Sequence, residues 1–257
     1  MKSDKWRVTS GEKMMSNKRQ VMRRSKAHHS SLITHHSGFT LIELLVVISI
    51  IGVLAAFTLT VLKSAKRHQY ISHTQAEMGL LETAIQRYHD AYGFYPPGNG
   101  SGNPRVNQLY YELEGTTFNP ANNLNLYTTL DGGLQISSNN VNKAFGVGGF
   151  VNCTRPGSAE DAHSAQNFLP GLKPKQYNAV TNPWPGGPLV TILTGSVGGP
   201  DQNYKPLGAS GLNPWRYASP GTNNPNSYDL WMQLVISGQT NLICNWNEQV
   251  QINSPLP

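Results

Sequence analysis

At 257 residues and 28.2 kDa, with 42 glycines and prolines and only 13% charged residues, the chain excludes a charged helical bundle and favours a loop-rich body. Two cysteines exclude a disulfide-dense scaffold and a four-cysteine zinc site. The formal charge of +6 is concentrated at one end. Residues 1–38 carry nine basic and two acidic side chains, whereas residues 39–257 carry 11 basic and 12 acidic ones, so the body lacks the basic footprint of a nucleic-acid binder.

The basic segment 1–38 comes first. It holds four of the eight histidines as His28-His29 and His35-His36, a pattern that can bind zinc or nickel but reads more simply as a duplicated low-complexity stretch. Met15 and Met22 are alternative starts within it.

Residues Phe39 to Leu62 follow as an apolar run with one ionisable side chain, Glu43. The 19 uncharged residues from Leu44 to Leu62 make about 28 Å of helix, close to the roughly 30 Å hydrocarbon core of a bilayer. The run therefore predicts a single membrane span, and the basic side places residues 1–38 in the cytoplasm and the body outside it. A cleaved secretory signal would have a shorter apolar region ending at a small-residue site, and none closes this run. A carboxylate inside such a segment is costly without a partner, and the segment contains no cation. Cutting the chain just before the apolar run would create one: a new α-amino group.

The sequence Gly38-Phe39-Thr40-Leu41-Ile42-Glu43 resembles the processing site of type IV pilins and type II secretion pseudopilins. The resemblance implies cleavage between Gly38 and Phe39 by a prepilin peptidase and N-methylation of Phe39. It also implies that Glu43 is the assembly carboxylate, paired with the terminal amine of a neighbouring subunit. The implied partners are a homo-oligomeric filament with minor pseudopilins, an assembly ATPase and an inner-membrane platform complex.

Beyond the membrane run, Met78, Leu81, Ile85, Tyr88 and Tyr92 recur at spacings of three and four, an apolar stripe with Glu77, Glu82, Gln86, Arg87 and Asp90 off it. Gly93 stands where a left-handed cap belongs and Pro96-Pro97 forbid continuation, which predicts one helix of about 50 residues ending near Tyr92. The run from Thr83 to Pro96, with its Tyr-Gly-Phe-Tyr-Pro exit, is similar to the helix end of major pseudopilins. The late helix-bending proline common in the family is replaced here by Thr60, leaving Gly52 as the weak point.

Residues 98–226 are rich in Asn, Gly and Pro, with short β-type runs at Gly133–Ile136 and Leu189–Leu193. Three later runs, Trp215–Ala218, Tyr228–Ile236 and Thr240–Trp246, predict an antiparallel meander that offers an apolar face to the helix. The expected fold is therefore α+β and pilin-like: a long N-terminal helix, its first half transmembrane, packed on a small C-terminal antiparallel sheet. The expected boundaries are a leader at 1–38, the assembly half of the helix at 39–62, its exposed amphipathic half at 63–97, and a loop-rich body at 98–257.

Cys153 and Cys244 permit a disulfide outside the cytoplasm, or stand as two separate buried thiols. No metal or cofactor is expected. The family resemblance brings calcium into view, but Asp229 and Glu248 are the only acids between Asn203 and Pro257, and a hard cation wants six to eight oxygens. Asp161-Ala162-His163-Ser164 contains acyl-transfer residue types without a nucleophile elbow, and no metalloprotease, Walker or dinucleotide motif exists. The leading expectation is a non-enzymatic pseudopilin polymerising into a periplasmic pseudopilus. A type IV pilin for adhesion, motility or DNA uptake is the second reading. A signal-anchored exported enzyme or binding protein, with its activity in residues 98–212, is the third.

Overall fold

The computed structural model describes residues 38–120, 125–157, 164–181 and 187–254. The basic leader with its paired histidines, and Asp161, Ala162 and His163, lie outside the described residues. The chain divides into two compact units, Met1–Gly52 and Val53–Pro257. Helix α1 (Leu41–Tyr92) contributes its first turns to one and the remainder to the other, and it stays helical through Gly52.

In the first unit the large apolar side chains of α1 are all exposed, as a stretch with almost no polar residue must be unless another chain or lipid covers it. Leu41–Thr58 is long and apolar enough to cross a membrane, the one such helix among the described residues.

The second unit forms around the other end of α1. That end stops where the sequence says it must: Gly93 is left-handed with φ 81°, and its N–H donates to the His89 carbonyl at 2.7 Å. The buried seam is rotated from the expected stripe. Thr74, Glu77, Leu81, Ala84, Ile85 and Tyr88 are buried, whereas Met78 and Tyr92 are only half-buried. Glu77, expected on the polar face, is therefore an interior group. It accepts hydrogen bonds from the Ser196 N–H (3.2 Å) and Gln176 Nε2 (3.2 Å), which compensate its removal from water.

The expected meander is present and has a fourth strand. Strands β7 (Arg216–Ala218), β8 (Asp229–Ile236), β9 (Gln239–Cys244) and β10 (Asn247–Ile252) form an antiparallel sheet in the order β10-β9-β8-β7. Leu230, Met232 and Leu234 alternate onto one face of β8 and join Leu81, Ile85 and Tyr88 in the core. Asp229, Trp231 and Gln233 point to the opposite face.

Residues 98–212, where the sequence offers only the short β-type runs at Gly133–Ile136 and Leu189–Leu193, hold a second sheet. Strands β1 (Thr116–Asn119), β2 (Leu126–Thr129), β3 (Gln135–Ser137) and β4 (Cys153–Thr154) are ordered β3-β2-β1-β4, with β1 and β4 parallel. Helices α2 (Leu109–Glu114) and α3 (Ser138–Phe145) flank them, and β5 (Tyr177–Thr181) pairs with β6 (Leu189–Leu193). The architecture is α+β, as expected from the pattern, with a larger β content.

A buried carboxylate ties the end of α1 to this second sheet. Glu112 on α2 has no solvent exposure and accepts from Tyr88 Oη (3.1 Å), Val151 N (3.0 Å) and Asn152 N (3.0 Å). Burial pushes its carboxyl above the ordinary range, while the N–H and O–H donors oppose that shift. Asn152 extends the knot, donating to the Glu112 and Gln166 carbonyls and accepting from Tyr92 Oη at 2.9 Å.

Candidate processing and assembly site

Gly38, Phe39 and Thr40 lead into α1 without helical geometry, so the Gly38–Phe39 peptide stands outside the helix ladder. Phe39 is 79% exposed. The helix opens on a reciprocal cap. The Glu43 N–H donates to Thr40 Oγ1 at 3.3 Å, and Glu43 Oε2 accepts from the Thr40 N–H at 2.9 Å and from Thr40 Oγ1 at 2.8 Å. Thr-x-x-Glu is the capping-box pattern, which satisfies two of the four free donors at a helix start. It also brings the Glu43 carboxylate back alongside the residue that follows Phe39.

Both bonds from Thr40 fall on Oε2. Among the described residues Glu43 Oε1 has no hydrogen-bond partner. Phe39, Ile42, Glu43, Val46 and Val47 border one shallow depression, so the free oxygen lies on an apolar surface. Such a surface favours a charged partner that brings its own apolar flank. Thr40 was not singled out from the sequence, although a Thr three residues before a Glu at the start of an apolar run is a recognisable signal.

The other candidate residues are placed elsewhere. Cys153 opens β4 and belongs to the main core, whereas Cys244 ends β9 and packs with Trp231 and Leu242 in a separate apolar cluster. Both are free thiols, so the bridge that the sequence permits is not formed; the two cysteines are committed to different sheets. Burial raises both thiols above their ordinary range.

Asp229, one of the two acids a calcium site near the C-terminus would have used, is already saturated. Its carboxylate accepts from Thr222 N (2.8 Å), Asn223 N (2.8 Å), Asn223 Nδ2 (3.0 Å) and Asn224 N (3.0 Å). Four inward N–H donors are the wrong environment for a cation. Gly221 allows this wrap, since a Cβ there would meet Asp229 Oδ1 at 2.5 Å. No group of three or more His, Cys, Asp and Glu gathers among the described residues.

One cluster has the composition of a hydrolytic relay. Ser196 Oγ lies 3.3 Å from His73 Nδ1, and Glu77 Oε1 lies 3.7 Å from the same nitrogen. A relay needs the nucleophile's hydroxyl and the orienting carboxylate on opposite ring nitrogens of the histidine. Here both contacts crowd Nδ1, so the group ties β6's exit to the helix without a catalytic geometry.

Comparison with known proteins follows this geometry closely. The prokaryotic N-terminal methylation motif matches residues 33–59, the stretch that contains the junction, the cap and the apolar helix. The chain is also 37% identical over 111 residues to fimbrial protein EcpB of Eikenella corrodens, covering 42% of this chain and 68% of that protein. No solved structure matches the chain significantly. With a methylation motif that runs from the junction through an uncovered apolar helix, and two thirds of a fimbrial protein matched, the chain belongs to the type IV pilin and pseudopilin family.

Proposed function

We propose that the protein is cut between Gly38 and Phe39, methylated on Phe39, and assembled into a filament in which Glu43 receives the terminal amine of the next subunit. The placement of Glu43 carries this reading. Its Oε2 is spent on the helix cap while Oε1 is open on an apolar surface, so the carboxylate can accept a neighbour's ammonium without dismantling its own helix start. The exposed apolar half of α1 supplies the packing that such an assembly requires. The family is a structural one, which fits a subunit and not a catalyst.

Within that frame the pseudopilus of a type II secretion system is the preferred filament, supported by the Tyr92-Gly93-Phe94-Tyr95-Pro96 exit that resembles major pseudopilins. Residues 1–38 then face the cytoplasm, the body lies outside the inner membrane, and a peptidase, an assembly ATPase and a platform complex are the partners. One observation favours a surface type IV pilus instead: the relative that covers 42% of the chain is a fimbrial protein.

Mass spectrometry of the mature chain tests the processing step. A mass beginning at N-methylated Phe39 is expected, and a membrane-embedded protein retaining residues 1–38 would overturn the reading. Immunogold labelling of intact and outer-membrane-permeabilised cells then separates the filaments, with label seen only after permeabilisation for a pseudopilus and on extended surface fibres for a pilus.

A further inference from the structure

The outer end of the apolar run on α1 carries a collar of positive charge. No acid lies between Glu43 and Glu77, whereas Lys63, Lys66 and Arg67 follow Leu62 within five residues. Cations beyond the outer end of a span run against the usual charge bias of membrane proteins, so their presence there needs a reason. The helix is continuous through them, which sets Arg67 about 7.5 Å beyond Leu62 along its axis. The headgroup layer on each side of a bilayer is about 5–8 Å deep. Lys66 and Arg67 therefore stand at the level of the lipid phosphates. Lys66 is exposed, and among the described residues neither it nor Arg67 has a carboxylate in ion-pair range.

The C-terminal sheet brings one edge to the same level. Strand β8 runs back along α1 toward the membrane. The Tyr228 ring meets Tyr95 just past the helix end, with 5.1 Å between centroids, and Met232 and Glu77 both border Gly195. Further on, Leu234 pairs with Asn241, whose Oδ1 accepts from Arg67 Nε (3.1 Å) and Nη2 (2.7 Å). The β8–β9 turn and the end of β10 are thus the parts of the sheet nearest the lipid. Ile252 is there. It pairs with Asn241, so the two side chains share one face, and it lies on the edge strand β10 at 51% exposure. Asp201, the acid at the β8–β9 turn, is held by the Asn203 N–H (3.1 Å) and the Gly238 N–H (3.3 Å). An exposed apolar side chain beside a cationic collar, directly above a span, is the composition of a headgroup-binding surface.

We propose that the body stands on the outer surface of the membrane that α1 spans, with Lys66 and Arg67 on the phosphates of anionic phospholipids and Ile252 in the headgroup layer. This rests on α1 as a membrane span and is independent of the Gly38–Phe39 cut and of Glu43. A second copy fits the surface less well. Residues 39–257 carry 11 basic and 12 acidic side chains, so another body brings no concentration of negative charge to the collar. An anionic bilayer surface does, and it favours the docked state about 5-fold for each nearby Lys or Arg. The contact has to be given up when a subunit leaves the membrane for a filament.

The test uses the full chain with Ile252→Cys carrying a nitrobenzoxadiazole dye, one chain per lipid nanodisc. Cys153 and Cys244 are buried, so labelling of the folded chain spares them. Discs of phosphatidylcholine with about 30% phosphatidylglycerol are compared with discs of phosphatidylcholine alone. Quenching of the dye by acrylamide should be about 3-fold weaker or less in the anionic discs, and the difference should vanish in about 0.5 M salt. Lys66→Gln, at an exposed position where folding is not at stake, should lower the ratio of docked to free body about 5-fold, whereas Lys143→Gln on α3 should leave it as in the parent. Equal quenching in the two discs would overturn the proposal, as would a Lys66→Gln chain protected like the parent or a Lys143→Gln chain that loses as much. Protection that appears only with two chains per disc would overturn it too, by assigning the surface to a second copy. A chain that leaves the disc in high salt would refute the span itself, an outcome distinct from an inserted chain whose dye is quenched alike in both lipids.

Discussion

From Leu41 to Phe57 the large apolar side chains of α1 are 46–82% exposed, whereas Leu81, Ile85 and Tyr88 in the later turns of the same helix are at most 5% exposed. Both stretches are helical and both are hydrophobic, so neither property decides burial. What differs is the pattern. The early turns are apolar all round, which suits lipid or the helices of other subunits. The later turns restrict apolar groups to a seam that one sheet of the same chain can cover. A helix can thus carry an intermolecular surface and an intramolecular one in sequence, with no change of backbone.

The largest effect that sharpens this contrast comes from matched truncations. Ile85→Ala should destabilise the body by about 2–5 kcal/mol, while Leu45→Ala should leave it within about 0.5 kcal/mol. Urea unfolding of the full chain in detergent, followed by near-UV circular dichroism, would measure both. Similar losses for the two would break the contrast.

Next in size is Glu112→Gln. One carboxylate oxygen becomes an NH₂ facing an N–H or O–H donor, from Val151 in one orientation or from Asn152 and Tyr88 in the other. A loss of about 1–3 kcal/mol is expected in the same assay, and an unchanged midpoint would show that the knot does not tie α1 to the body. Gly221→Ala should cost about 1–2 kcal/mol by forcing the loop off Asp229, visible as lost amide protection at Thr222, Asn223 and Asn224.

The smallest effect is a pH slope. Burial, with Asp131 nearby, pushes the Glu114 carboxyl up to about 7 from 4.5. The folded chain therefore holds this proton more tightly than the unfolded chain. The associated stability is complete below pH 4.5 and declines as pH rises through 7, by less than about 1.4 kcal/mol per pH unit for one proton. Glu114→Gln should flatten the stability profile across that window, and an unaltered profile would contradict the shift.

How much of this was legible in the sequence depends on whether a segment follows one period. The end of α1, strand β6 at Leu189–Leu193, and strands β8 and β9 could be read because three- and four-residue spacings, β-branched runs and a Gly-Pro stop agree. Strands β1, β2 and β4 are two to four residues long and rich in Thr and Asn, too short for alternation to emerge, and β1 is paired in parallel with a strand 37 positions later. The buried seam keeps Leu81, Ile85 and Tyr88 of the expected stripe and adds Thr74 and Glu77, because hydropathy cannot see that Glu77 is satisfied by a distant loop. Glu112 was invisible for the same reason. At the candidate site, Glu43 stands out as the one charge in an apolar run and Gly38 and Phe39 through the family resemblance, whereas Thr40 shows its use only in the cap geometry.

In the proposed filament Glu43 acts between subunits, through the oxygen that its own cap leaves free. Glu43→Gln removes the charge while its amide oxygen can still accept from the Thr40 N–H, so the helix start is largely kept. Produced as the only copy, the variant should insert in the membrane and be cleaved to Phe39 like the parent, yet yield no sheared or labelled filaments by electron microscopy. Parental filament yield from Glu43→Gln would contradict the account, because a neutral side chain would then be setting the register of one subunit on the next.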